Sequence, residues 1–129
     1  MKIRVVPFAP HSLCFGGFEV QMLSAMNAAR TVGANVSPLD FWSLDQDFDT
    51  LHIWGFDHIH SELVAWAAKR RKQVVLSALL PYPSLYAATR YRISSLIGPA
   101  KFRRQILKNL SVLTVVNEQQ AKYAETILS

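Results

Sequence analysis

The chain predicts an α/β sandwich built on a mainly parallel sheet of about five strands. Three observations carry this reading. Short β-branched runs alternate along the chain with stretches of helical periodicity. Helices placed between strands act as crossovers, and crossovers make the strands they join parallel. One run, residues 73–79, is almost continuously apolar, the pattern of a strand covered on both faces. The chain has 129 residues, half of them hydrophobic, enough for one domain with a real core.

The elements follow in order. Lys2 to Phe8 is a strand, and Pro7 marks where its pairing ends. Residues 9–17 form a loop with Pro10 and the pair Gly16-Gly17. From Phe18 to Val32, Met22, Ala25, Met26 and Ala29 fall on one helical face, and Gly33 follows as a stop. Asn35 to Leu39 is a second strand, and 40–49 an acidic loop carrying Phe41, Trp42 and Phe48. Thr50 to Trp54 is a third strand, ended by Gly55. Ile59, Leu63, Trp66, Ala67 and Arg70 suggest a second helix, whose Lys69-Arg70-Arg71-Lys72 suits the negative end of its dipole. After the fourth strand, Pro81-Tyr82-Pro83 opens a loop. Two helices over 84–97 and 100–109 are split by Gly98-Pro99. Residues 111–116 make a fifth strand and 118–128 a closing helix.

Charge is unevenly placed. Charged residues make up 18 % of the chain, below the roughly 25 % usual in soluble domains, which excludes a disordered polyelectrolyte. The net +5 hides a partition. Residues 1–62 carry three basic and seven acidic residues, whereas 63–117 carry ten basic residues and no acidic one. Such a stretch is a positive field suited to an anionic partner or, more plainly, a set of solvated faces. The single Cys14 excludes a disulfide framework and fits a reducing compartment. The N-terminus lacks the long apolar run of a signal peptide, and residues 73–89 are too polar and proline-broken to span a bilayer. A cytoplasmic protein is expected.

Several α/β chemistries are excluded. A phosphate-gripping P-loop needs Lys and Ser/Thr after its glycines, but Phe18-Glu19-Val20 follows here. A dinucleotide fingerprint needs three spaced glycines, and the loop has two adjacent ones. Phe8-Ala9-Pro10-His11 lacks the acidic residues of a phospho-acceptor site, and no G-x-S-x-G elbow occurs. His52, Asp57, His58 and His60 cluster in sequence, but the i, i+2 spacing of His58 and His60 does not share a helix face, so no metal site is expected.

The order of the pieces carries a resemblance. Gly16-Gly17-Phe18-Glu19 opens the first helix, and Gly33-Ala34-Asn35-Val36 leads into the second strand. Asp49-Thr50-Leu51-His52-Ile53-Trp54 spans the third, and Leu110 to Glu118 runs into the last helix. Over almost the whole chain this resembles the N-terminal half of a GT-B glycosyltransferase of the large retaining family 4 (group 1). That family shows G-G-x-E at the first helix, D-x-x-H-x-H on a later strand and A-D-x-V-x-x-x-S before a late helix. Trp54 stands where the family has its second histidine, and Leu79 or Leu80 where a histidine often follows the fourth strand.

The resemblance implies a Rossmann-like domain, as in the N-terminal half of GT-B enzymes. It implies an acceptor-binding role in moving a sugar from a nucleotide-sugar to a lipid-linked, phosphorylated or saccharide acceptor. The donor-binding C-terminal domain would come from the same chain or a separate subunit, and the domain would be inactive alone. No cofactor is implied, and no catalytic residue is assigned. Substrate-binding candidates are His11, Gly16, Gly17, Phe18, Glu19, Tyr82 and Arg90. Glycines at a helix start let backbone N–H groups reach an anion, though they equally make a plain tight turn. Glu19 in the first turn also simply complements the helix dipole.

A second reading rests on the basic region 69–108. Lys101, Arg104 and Lys108 form one stripe of a helix whose other stripe holds Phe102, Ile106, Leu107 and Leu110. With Arg92 they would make an anion-facing surface on a non-catalytic module binding anionic membrane or nucleic acid, at the inner face of the membrane in the first case. No pattern of stacking aromatics accompanies the cations, so nucleic acid is the less expected partner.

Overall fold

A computed structural model describes residues 1–80, 89, 90, 93 and 100–128. Five strands form one parallel sheet: β1 (Lys2–Val6), β2 (Asn35–Pro38), β3 (Thr50–Trp54), β4 (Gln73–Ser77) and β5 (Val112–Thr114). The helices are α1 (Gly17–Thr31), α2 (Ser61–Lys69), α3 (Ala100–Lys108) and α4 (Glu118–Leu128), with a 3-10 turn at His58–His60. This is the expected Rossmann-like sandwich. The expected helix over 84–97 lies outside the described residues, apart from helical positions at Thr89, Arg90 and Ile93.

Strand order is β2-β1-β3-β4-β5. The chain steps one way from β1 to β2 and the other way for the rest, so the topology switches between β1 and β3. In open parallel sheets, ligands bind at such a switch, beyond the carboxyl ends of the strands. Strand alternation sorts the core into two parts. Val6, Leu51, Ile53, Val74 and Leu76 pack with Val64 and Ala67 of α2, Ile106 of α3 and Tyr123 and Ala124 of α4. Val5, Val36 and Trp54 meet Met22 and Met26 of α1 on the other face.

Three local expectations shift. The buried side of α1 comprises Met22 and Met26, with Phe18 and Ala29 partly buried, whereas Ala25 is exposed. A single helix over a twisted sheet edge covers a narrow stripe, and Ala25 falls outside it. The second helix begins at Ser61, because the Asp57 carboxylate accepts from Ile59 N at 3.2 Å and holds the 3-10 turn ahead of it. Ile59 is therefore exposed, and Val64 and Ala67 face the core. Lys72 is no free cation at a helix end. Its ammonium donates to Gln46 O (2.9 Å) and Phe48 O (2.7 Å) and sits over the Phe48 ring, pinning the acidic loop to the sheet.

The fourth strand is fully buried on one face, at Val74 and Leu76. On the α1 side it is unevenly covered, with Gln73 exposed, Val75 half-buried and Ser77 buried. Beside it Val112 and Thr114 of β5 are exposed. Among the described residues, α1 is the only helix on that side, and it packs against β1–β3.

Candidate functional site

The loops leaving β1 and β3 meet at the switch point. After β1, Leu13 N and Cys14 N donate to Pro10 O and turn the chain toward α1. Gly16 N then donates to Glu19 Oε2 at 2.7 Å, and Val20 N to Gly16 O begins the helix. Glu19, 6 % exposed, is thus half of a capping box. Its carboxylate is committed to the backbone.

Neither glycine is required by its backbone conformation. Gly16 has an ordinary extended backbone and Gly17 is helical. A Cβ on Gly17 would meet nothing within 4 Å. The first helical amides have no intrahelical acceptor, so the missing side chains leave an open, partially positive helix end.

Gly55 has the opposite character. Its φ is +101°, and a Cβ there would lie 2.4 Å from the Phe8 ring. Gly55 N donates to Ser77 O at 2.8 Å, which draws the β3 exit across β4 and against the β1 exit loop. Beneath this junction lies His60, 6 % exposed, its Nδ1 buried without a partner among the described residues. Burial lowers its pKa, opposed by the Asp57 carboxylate and the carbonyls of Pro7 and Gly55. The Trp54 indole lies between Phe18 and His52, each ring 5.2 Å away, and its Nε1 is likewise buried and unpaired.

A polar row crosses the α1 side of the sheet. His52 Nε2 is 2.8 Å from Ser77 Oγ, which is 2.7 Å from Thr114 Oγ1, which is 3.4 Å from Leu76 O. Each hydroxyl has one proton. The row can run either way: Nε2–H donating to Ser77 and Ser77 to Thr114, or Thr114 donating to Ser77 and Ser77 to a bare Nε2. Burial pushes the His52 pKa down to about 4, so the ring is neutral at pH 7.

The candidates named from sequence divide clearly. Gly16, Gly17, Phe18 and Glu19 come together at the switch point. His11 is exposed on the β1 exit loop, edge-on to Phe15 at 5.3 Å, and lines a cleft beside α1. Arg90 is exposed, while Tyr82 and Arg92 lie outside the described residues. Lys101, Arg104 and Lys108 are all exposed along α3, which packs on the opposite sheet face from α1. The sequence cluster of imidazoles disperses. His52 joins the polar row, His58 pairs with Asp57 at 2.6 Å and His60 is buried, so no three such groups converge among the described residues. Sequence reasoning missed His60 and Trp54 as orphaned donors or acceptors and the His52–Ser77–Thr114 row. The available signal was polar residues alternating through strands that ought to be apolar on both faces. No family model, curated protein or solved structure matches the chain.

Proposed function

We propose that the chain is the acceptor-holding N-terminal domain of a two-domain, GT-B-type sugar transferase of the family 4 kind, inactive without its donor-binding partner domain. One observation carries the proposal: the open, glycine-flanked start of α1 stands at the topological switch point, with Glu19 already satisfied by Gly16 N. A phosphate of donor or acceptor can approach the free amides of the first turn, where the helix dipole and N–H groups favour negative charge. Nucleotide-sugar and acceptor are the small-molecule partners of this reading. Calorimetric titration with inorganic pyrophosphate tests it. Wild-type protein is expected to bind saturably at low salt and Gly17→Val at least tenfold more weakly. Equal affinity for the two proteins removes the glycine entrance as the anion site.

The exposed cation stripe supports a second reading. Lys101, Arg104 and Lys108 face solvent with no acidic residue between 63 and 117 to neutralise them. The apolar side of α3 is turned inward, with Ile106 1 % exposed and Phe102 and Leu107 half-buried, so α3 offers a membrane only its charges. Each such cation near an anionic bilayer contributes about 1 kcal/mol, screened by salt. Among the described residues no helix is long and apolar enough to cross a membrane.

A further inference from the structure

A cleft of about 260 Å³ opens between the middle of α1 and the carboxyl ends of β1 and β2. Its floor is Val5, Met22 and Met26, all at most 5 % exposed. Its rim is Leu23, Pro7 and Pro38, and His11 stands at one side. The cleft is open to solvent on one side and floored by buried apolar side chains.

The lining dictates what enters. Pro7 and Pro38, at the carboxyl ends of β1 and β2, have no N–H and offer apolar rings to the cleft. Two methionines on the floor have flexible, polarizable side chains that adapt to an irregular or flat shape. A dry apolar cavity of about 150 Å³ takes a benzene ring, so this one has room for about ten heavy atoms. His11 alone on the lining has a side chain that hydrogen-bonds, and its ring meets Phe15 edge-on at 5.3 Å. The cleft lies at the strand ends where open α/β sheets bind ligands.

We propose that this cleft binds a small aromatic or branched aliphatic molecule, seated on Met22 and Met26, with one polar group hydrogen-bonded to His11. The assignment stands on the cleft alone and holds independently of the sugar-transfer reading.

The chain has three methionines, and Met1, 71 % exposed, serves as an internal control. Protein labelled with ¹³C at the methionine methyls is titrated with toluene and with benzyl alcohol, followed by NMR. Saturable shifts at Met22 and Met26 but not at Met1 are expected, with benzyl alcohol binding several-fold more tightly. His11→Ala should bring benzyl alcohol down to the affinity of toluene and leave toluene unchanged. Leu23→Trp, at a rim position 38 % exposed, should weaken both probes at least tenfold without changing the melting temperature. Non-saturating shifts, equal shifts at Met1, or wild-type affinity in Leu23→Trp would overturn the site. Equal binding of the two probes to wild-type protein would overturn the role of His11.

Discussion

At Gly55 a side chain is sterically forbidden, whereas at Gly17 it is only absent. Gly55→Ala combines a positive φ with a 2.4 Å approach to Phe8, and should cost about 2–4 kcal/mol in urea unfolding. Gly17→Ala meets open space in a helical conformation, and should stabilise by about 0.5 kcal/mol while weakening pyrophosphate binding. Gain of stability with loss of binding is the mark of a residue kept for its ligand. His52 sets a pH dependence. Its folded pKa of about 4 lies below the 6.5 of the unfolded chain, so between these values the unfolded state binds the extra proton. Stability is therefore full above pH 6.5 and falls on acidification toward pH 4, by about 3 kcal/mol at most. His60 acts in the same direction. Urea midpoints measured over this range should show the fall, and His52→Gln should flatten it; an unchanged slope in that variant would assign the fall elsewhere.

At the level of elements, the strands were the legible part. All five were readable from β-branched runs, with ends misplaced by one or two residues where Pro7 or a loop hydrogen bond stops pairing. One helix start was harder: the Asp57 turn that delays α2 is a local hydrogen bond and leaves no periodic trace, whereas α1, α3 and α4 start within one residue of the sequence reading. The capping role of Glu19 was half legible: its place in the first turn was clear, its acceptance from Gly16 N was not. The polar row was illegible for a different reason. His52 and Ser77 are 25 positions apart and Ser77 and Thr114 are 37 apart, and only strand order makes them neighbours. The face assignment of α3 held, with Ile106 inward and the three cations outward. Ile106→Ala should cost about 2–4 kcal/mol, whereas replacing Lys101, Arg104 and Lys108 by Gln should leave the melting temperature within a few degrees. That triple variant should lose flotation with anionic vesicles at low salt if α3 is a membrane surface, and retained flotation would place the contact elsewhere.

Over the whole molecule, topology preserves only part of the charge partition of the sequence. One crossover leads to β2 and the rest proceed through β3, β4 and β5, so sheet order largely follows chain order. Asp47 pairs with Lys2, and Lys72 reaches back to the carbonyls of Gln46 and Phe48 in the acidic loop, whereas Lys101, Arg104 and Lys108 lie apart along α3. The glycine entrance and the cation stripe belong to opposite sheet faces, so a single anion need not serve both. An amide-resolved NMR titration with inorganic pyrophosphate at low ionic strength separates them. The account predicts saturable shifts concentrated at Gly16, Gly17 and Phe18, abolished in Gly17→Val. Shifts confined to Lys101, Arg104 and Lys108, with the start of α1 unmoved, would contradict it.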